Sequence, residues 1–217
     1  MHIRRATTDD IDSLIALQTS CHIAHVSCSE KSDGFLNTVL PVELLRTVID
    51  TEDAIFVVEE TQDPQHPPTI VAMAICASWG FWSFSDNLVR IAEQLVNVPY
   101  RKGPLTQSNS YFWGPVCVSK TYRGQGVFEA LFAYSLNAMQ SRYPFVYTYV
   151  HTDNVRSYVA HTTKAGFIFT QHIAINGQMF CEMVRETCTV KESHIEKESY
   201  TEIEKAEENE IQNPPVI

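Results

Sequence analysis

The chain has 217 residues, of which 44% are hydrophobic and 19% charged, a composition typical of one folded globular domain. It contains no apolar run of membrane-spanning length and no basic and apolar leader at its start, so we expect neither a membrane association nor secretion. The formal net charge of −10 argues against nucleic acid as a partner, because its phosphates would be repelled.

The negative charge is concentrated at the C-terminus. Residues 186–217 contain nine Glu and three Lys, a balance of −6, whereas residues 1–185 have a balance of −4. Because the C-terminal segment also has few apolar residues, we predict one domain at 1–185 and an acidic, disordered tail at 186–217. A solvated tail is the favoured interpretation, and a tail that docks on a partner is the alternative.

Hydrophobic periodicity predicts alternating strands and helices in the first half of the chain. In chain order these are a strand at residues 2–6, a helix from residue 9 to about 24 that Asp9 or Asp10 caps, a short helix after Pro41, strands at 54–60 and 70–78, and a helix that Asp86 caps. The last helix and the loop that follows it are predicted to be an insertion between two central strands.

The second half continues the alternation and ends in a hairpin. Its predicted elements are a strand at 111–118, a helix with an apolar stripe from Phe128 to Met139, a strand at 147–151, a helix that starts near Asn154, and strands at 167–175 and 178–184. Asn176-Gly177 is a strong signal for a two-residue hairpin turn. This order predicts an α/β (α+β) fold with a mixed sheet covered by helices on both faces.

The most informative segment is the turn Arg123-Gly124-Gln125-Gly126 between an apolar strand and an amphipathic helix. Its two glycines let the backbone turn sharply, and the first helical turn presents free N–H groups at the positive end of the helix dipole. Such a turn can bind phosphate or pyrophosphate. Its spacing matches neither the dinucleotide-binding glycine motif nor the P-loop.

The residues from Val116 to Val127 resemble the acetyl-CoA-binding motif of the GCN5-related N-acetyltransferases (GNAT). The resemblance implies a central mixed sheet of six to seven strands with helices on both faces. It also implies that Val116 and Val118 face the pantetheine arm. The residues implied at the pyrophosphate are Arg123, Gly124, Gln125, Gly126 and Val127. Phe128 departs from the small residue usual at its position, and its side chain can point into the core.

A second segment, from residue 147 to Phe167, resembles the same family. A strand, an Asn-x-x-Ser helix start and a Gly-Phe strand start follow one another, which implies that Asn154 and Ser157 lie near acetyl-CoA. The family often has a tyrosine acid in this helix. Its place is Thr162 when counted from Gly166 but His161 when counted from Asn154, so this helix carries one extra residue.

Three side chains are candidates for proton transfer. The strand at 111–118 lacks the carboxylate base of some relatives, so His151 is the first candidate base, because histidine titrates near neutral pH. His161 is the first candidate acid, and Tyr158 is the next. For each of them a packing or surface role is the alternative.

Other clusters have two interpretations each. The aromatic residues Trp79, Phe81, Trp82 and Phe84 form either the wall of an acceptor pocket or a small satellite core. The cysteines and histidines between Cys21 and Cys28 match no closed zinc site, so no metal is predicted. Cys117 is interpreted as a buried, inert thiol rather than an acyl carrier.

We therefore predict a cytoplasmic N-acetyltransferase that moves an acetyl group from acetyl-CoA to a primary amine by direct attack. The acceptor is a small molecule or a protein amine, and a homodimer is left open. The six cysteines form no C-x-x-C pair, as expected of reduced thiols in the cytosol. The alternatives are a non-catalytic acyl-CoA-binding sensor or scaffold and a phosphate binder unrelated to coenzyme A.

Overall fold

The fold is a mixed seven-stranded sheet in a computed structural model that describes residues 1–26, 34–61 and 67–188. The strands are β1 (His2–Arg5), β2 (Ile55–Glu60), β3 (Thr69–Ala77), β4 (Ser110–Val118), β5 (Phe145–His151), β6 (Ile168–Ile175) and β7 (Gln178–Glu186). Their spatial order is β1-β2-β3-β4-β5-β7-β6, in which only β4 and β5 pair in parallel. The acidic tail predicted at 186–217 lies outside the described residues from position 189 on.

Helices cover both faces of this sheet, which confirms the predicted fold class. They are α1 (Ile11–Cys21), α2 (Val42–Glu52), α3 (Asp86–Gln94), α4 (Val127–Met139) and α5 (Val155–Val159). Buried residues of α1, α2 and α3 form one core with Val57, and those of α4 form a second core with Phe56 and Val58, since neighbouring strand residues face opposite sides. No helix in the described ranges is long and apolar enough to cross a membrane.

The predicted hairpin and the predicted insertion are both confirmed. Asn176 and Gly177 have φ of 50° and 76°, the positive values that a type I′ turn between β6 and β7 requires. Helix α3 and its flanking turns lie between β3 and β4, which pair as neighbours in the sheet.

Two predicted helix starts are wrong by one or two residues. Ser85, not Asp86, caps α3, because its Oγ accepts a hydrogen bond from the Leu88 N–H at 3.5 Å. Helix α1 begins at Ile11 rather than Asp9, after a short 3-10 turn at Thr8–Asp10, and Asp10, one of the two predicted caps, is its N-cap residue. Asp10 accepts two hydrogen bonds from Arg4 and one from the Thr7 N–H at 2.7 Å, and these bonds, those from Arg4 most of all, lower the pKa of its carboxyl group. Its carboxylate therefore stabilises the turn before α1.

Strands β4 and β5 pair only at their N-terminal ends and then separate. Their register runs from Ser110 with Phe145 to Phe112 with Tyr147 and stops there. On its other side, β4 has one more residue than β3 between Ala74 and Cys76, a bulge that contains Gly114-Pro115. A bulge bends a strand, and proline has no N–H to donate to a neighbour. The cleft between the separating strands contains the candidate site.

Candidate functional site

The glycine turn leads directly into the N-terminus of α4. Gly124 and Gly126 both have φ of +80°, and a Cβ on either would meet no atom within 4 Å. The glycines are therefore required here by backbone conformation rather than by close packing. Gly126 stands at the N-cap and has no side chain to bond the first N–H groups of this 13-residue helix. Those donors and the helix dipole make the turn suitable for an anion.

Side-chain hydrogen bonds hold this turn to the end of β4 and to the short 3-10 turn Lys120–Tyr122 that follows the strand. Arg123 Nε donates to the Val118 carbonyl at 3.0 Å, and Gln125 Nε2 donates to the Thr121 carbonyl at 2.8 Å. The turn is thus fixed relative to the strand that precedes it.

A cavity of about 480 Å³, here called the larger cavity, extends from this turn into the cleft. The predicted donor-site residues that line it are Val116, Val118, Arg123, Gly124, Asn154 and Ser157. Gln125, Gly126 and Val127 adjoin it but are not among its lining residues. Arg123, Arg156 and Lys164 contribute positive charge, and Lys164 pairs with Glu129 at 2.6 Å, which lowers the pKa of Glu129. Among the described lining residues, these three basic side chains outnumber the one acidic side chain, Glu129, which suits a phosphate ligand.

Two thiols in the wall of the larger cavity interact with each other. A hydrogen bond from Cys117 and, secondarily, one from Ser20 and the charge of Arg123 lower the pKa of Cys21 to about 6, although its burial opposes this. The same hydrogen bond and burial raise the pKa of Cys117 well above its usual value. From the sequence, Cys21 was interpreted as a reduced thiol, and a role as a metal ligand was the less favoured alternative. Its contact with β4 joins residues almost a hundred positions apart, so no local pattern could have revealed it.

Asn154 connects the start of α5 to the loop that contains Phe35. Its Oδ1 accepts a hydrogen bond from the Ser157 N–H at 3.2 Å, and its Nδ2 donates to the Phe35 carbonyl at 3.0 Å. Both atoms of the buried amide are therefore used within the protein. Asn154 lies in the wall of the larger cavity, where it positions Phe35 and α5.

A cavity of about 200 Å³, here called the smaller cavity, adjoins the larger one. The two share Phe35, Leu36, Val116, Asn154 and Ser157. The aromatic residues in the wall of the smaller cavity are Phe35, Trp82, Phe84, Phe112, Trp113, Tyr149 and Phe180. The predicted aromatic cluster is thus divided: Trp82 and Phe84 line this cavity, whereas Trp79 is buried and donates its indole N–H to Ser110 Oγ at 3.0 Å.

His151 and His161 both line the smaller cavity, but their proton positions differ. His151 Nδ1 accepts a hydrogen bond from the Asp153 N–H at 3.1 Å, so the neutral ring carries its proton on Nε2. His161 Nδ1 lies 2.6 Å from the Ser157 carbonyl and must donate to it, so its Nε2 is unprotonated. That Nε2 is buried and has no partner among the described residues.

His161 is enclosed by aromatic rings. Trp113, Phe128 and Phe167 lie 5.2, 5.3 and 5.5 Å from its ring, centre to centre. Burial lowers the pKa of His161 to about 4, which keeps the ring neutral at physiological pH. The bulky side chain of Phe128 also fits here, because its ring packs against Trp113 in the core that α4 forms with the sheet.

The extra residue predicted in the helix after Asn154 is present as a π-helical turn. The segment Ala160–Lys164 follows α5 and closes with a hydrogen bond from the Ala165 N–H to the Ala160 carbonyl at 3.0 Å. A π-turn holds one residue more than an α-turn, so the extra residue is accommodated between Asn154 and Gly166 without lengthening the helix by a further step. Tyr158 packs against Phe169 and lines neither cavity.

In the described parts of the chain, no group of His, Cys, Asp or Glu is arranged to hold a metal ion. Cys28, which belongs to the cysteine and histidine cluster of the sequence, lies outside those parts.

No protein-family model and no curated protein sequence matches this chain. Solved structures do match it across nearly the whole described fold. An N-acetyltransferase from Staphylococcus aureus aligns with a TM-score of 0.59 and 13% identity over 86% of this chain and 98% of its own. A putative acetyltransferase from Salmonella typhimurium, solved with its cofactor acetyl-CoA, has a TM-score of 0.57 and 12% identity over 88% and 95% of the two chains.

A third similar structure is a ribosomal-protein-alanine N-acetyltransferase from Brucella melitensis. Its TM-score is 0.55, with 15% identity over 86% of this chain and 99% of that chain. Similarity at these identities establishes a common fold.

Proposed function

Because the chain has the fold of the GCN5-related N-acetyltransferases, we propose that it transfers an acetyl group from acetyl-CoA to a primary amine. The observation that carries this proposal is the larger cavity, which joins a glycine turn at a helix N-terminus to the cleft between β4 and β5. An anion site at one end and an apolar strand along the side suit a pyrophosphate with a pantetheine arm.

The proposed contacts follow that geometry. Val116 and Val118 border the pantetheine arm, and Asn154 and Ser157 close the opposite wall of the cavity. The residues proposed around the pyrophosphate are Arg123, Gly124, Gln125, Gly126 and Val127. The basic side chains of Arg156 and Lys164 add to the positive potential on the same side.

Direct transfer needs no nucleophile from the protein. The amine nitrogen bonds to the thioester carbonyl carbon, the carbon–sulfur bond breaks, and the sulfur leaves with its electron pair as the coenzyme A thiolate. The proton that the nitrogen loses passes to water in the open cleft. Backbone N–H groups of β4 beyond Phe112, where β5 no longer pairs, are suitable donors to the oxyanion. Holding the two substrates together supplies much of the rate.

The histidine tautomers support roles opposite to those expected from the sequence. A proton on Nε2 makes His151 a hydrogen-bond donor in the cavity wall, which suits the developing oxyanion or thiolate better than the base role. The neutral His161 has a bare Nε2, so it is an acceptor rather than an acid. Tyr158, which lines neither cavity, is the weakest of the three candidates.

We also assign the protein to the cytoplasm. The cysteines in the described residues, Cys21, Cys76, Cys117, Cys181 and Cys188, form no disulfide. Reduced thiols of this number suit a reducing compartment.

The test is calorimetric titration of the purified protein with acetyl-CoA, for the wild type and two variants of Gln125. Gln125→Glu places a carboxylate beside the proposed pyrophosphate without changing the size of the side chain. Gln125→Ala is the matched control, because it loses the same hydrogen bond to Thr121 but adds no charge. We expect the wild type to bind, Gln125→Glu to bind at least about tenfold more weakly, and Gln125→Ala to lose about threefold or less.

Absence of wild-type binding would refute the acetyl-CoA assignment. If all three proteins bound acetyl-CoA with equal affinity, the assignment of the pyrophosphate to the glycine turn would be wrong. If acetyl-CoA binds but no amine of any class releases free coenzyme A, the protein is the non-catalytic acyl-CoA binder that the sequence leaves as an alternative.

A further inference from the structure

The described wall of the smaller cavity contains no strongly charged side chain. None of its described lining residues is an aspartate, glutamate, lysine or arginine. Tyr149, which also lines it, remains a neutral phenol because burial raises its pKa to about 12. A ligand with several ammonium groups would lose its hydration here and find no carboxylate among these residues to replace it.

Aromatic rings form the apolar wall in edge-to-face and tilted contacts. The Trp82 and Phe112 rings lie 5.3 Å apart at 88°, and the Phe112 and Tyr149 rings lie 5.3 Å apart at 33°. Phe84 extends this wall from Trp82 at 5.7 Å and is 48% exposed, so it stands at the solvent side of the array. Such surfaces favour another flat ring, which gains contact area and edge-to-face interactions together.

The volume of about 200 Å³ limits the size of the ligand. Pockets for drug-sized ligands have volumes of about 300–1,000 Å³, so this cavity suits a molecule of one or two rings. It also meets the larger cavity at Val116 and Ser157, on the two walls of the cleft between β4 and β5. A ring held in the smaller cavity would therefore point a short amine chain toward the proposed thioester.

We propose that the acceptor is a small aromatic monoamine, bound with its ring among Trp82, Phe84 and Phe112 and its amine directed to the cleft. This inference rests on the proposed function and goes beyond it in naming the class of acceptor. A monoamine has no second cation to bury. A polyamine has additional ammonium groups, and a protein N-terminus carries a polypeptide backbone that a volume of about 200 Å³ is too small to hold.

The test compares acetyl transfer by the purified full-length chain to tryptamine, 2-phenylethylamine, spermidine and a short peptide with an N-terminal alanine. Acetyl-CoA binding is measured in parallel by calorimetry. We expect the two aromatic amines to be acetylated with kcat/KM at least about tenfold above spermidine and the peptide.

Variants of Phe84 locate the acceptor. Because Phe84 is half exposed and does not line the larger cavity, its substitution should leave folding and acetyl-CoA affinity unchanged. We expect Phe84→Ala to raise KM for tryptamine about fivefold or more, through loss of one ring contact. Phe84→Glu should shift the preference from tryptamine toward spermidine by at least about tenfold, because it supplies a carboxylate. Phe169→Ala is the matched control, an exposed aromatic that lines neither cavity.

The outcomes separate the two proposals. Failure of acetyl-CoA to bind refutes the proposed function and this inference with it. Binding of acetyl-CoA with preferential acetylation of spermidine or the peptide, or with no acetylation of either aromatic amine, refutes the inference alone. An unchanged KM in Phe84→Ala, equal to that of Phe169→Ala, would also overturn the assignment of the ring to this cavity.

Discussion

The two histidines of the smaller cavity show how a single backbone contact decides what a side chain can do. Because the Asp153 N–H donates to His151 Nδ1, the Nε2 of the neutral His151 ring is a donor. Because His161 Nδ1 donates to the Ser157 carbonyl, the Nε2 of the neutral His161 ring is an acceptor. From the sequence, His151 was the candidate base and His161 the candidate acid. The hydrogen-bond partner selects the tautomer, and the tautomer limits the chemistry.

Acid should destabilise the protein through His161. Its pKa is about 4 in the folded state and 6.5 in the unfolded state, because burial opposes the charged form. Above pH 6.5 the ring is neutral in both states. As pH falls from 6.5 to 4 only the unfolded state gains the proton, so the free energy of unfolding should decrease by about 3 kcal/mol. Urea unfolding at a series of pH values measures this decrease.

His161→Leu should remove most of that pH-dependent loss, since leucine cannot be protonated. Phe167→Leu is the matched control in the same aromatic cluster, and it should lower stability by a similar amount at every pH. A wild-type pH dependence that persists in His161→Leu would show that another group is responsible.

Cys21 illustrates the same dependence on tertiary contacts. A thiol that is buried in an apolar setting is ordinarily hard to ionise, yet the hydrogen bond from Cys117 and the charge of Arg123 reverse this for Cys21. The contact joins α1 to β4. The residue pattern around Cys21 contains no sign of it.

Two elements deviate from regular geometry, and both shape the cleft. The bulge at Gly114-Pro115 lies just beyond the point where β4 stops pairing with β5, and the π-turn at Ala160–Lys164 absorbs one residue between Asn154 and the Gly166 turn. Bulges and π-turns are frequent at functional sites because they redirect side chains without disturbing the flanking elements. Both of these deviations border the smaller cavity, the bulge through Gly114 and Pro115 and the π-turn through His161.

The glycine turn before α4 should tolerate no side chain at Gly126. A Cβ at φ of +80° is strained even where no neighbour is close, so Gly126→Ala should lower the free energy of unfolding by about 1–2 kcal/mol. Gly80→Ala is the matched control, because Gly80 has φ of −61° and its Cβ would meet Ser78 Oγ at an ordinary 3.6 Å. That variant should be neutral or more stable by up to about 1 kcal/mol.

Chemical denaturation of both variants checks this difference. If Gly126→Ala and Gly80→Ala had the same stability, the positive φ at the start of α4 would not be a requirement of the fold.

For the whole molecule, the cleft between β4 and β5 is where binding of the proposed ligand would affect stability. Residues from α1, β4, α4 and α5 line the larger cavity, so a ligand there would contact elements from both halves of the chain. Such a ligand binds the folded state alone, because the unfolded chain brings none of these residues together.

Acetyl-CoA should therefore raise the melting temperature. At a free concentration of one hundred times Kd the stabilisation is about 2.7 kcal/mol, which corresponds to a rise of about 5–10 °C for a domain of this size. Differential scanning fluorimetry with increasing acetyl-CoA measures the rise. Gln125→Glu should show a smaller rise from its own ligand-free melting temperature at the same concentrations. A wild-type melting temperature that does not respond to saturating acetyl-CoA would contradict the proposal.

Local patterns in the sequence were sufficient for the order of the elements, the two-sided helical cover, the hairpin at Asn176-Gly177 and the glycine turn before α4. Each of these depends on periodicity or on a backbone conformation that one or two residue types favour. The extra residue in the helix after Asn154 was also detectable, because it follows from counting the residues between Asn154 and Gly166. Capping by Ser85 rather than Asp86 was missed, because both residues are good caps and their backbone geometry decides between them.

The tertiary structure alone decided the chemistry inside the cleft. Cys21 and Cys117 meet in the wall of the larger cavity. Phe35, Trp82 and the two histidines line the smaller cavity. Tyr158 packs against Phe169 and lines neither cavity. These are contacts between residues far apart in the chain, and they determine burial, tautomer and pKa. Sequence periodicity indicates which face of an element is buried. It does not indicate which distant side chain that face contacts, or how that contact sets a tautomer or a pKa.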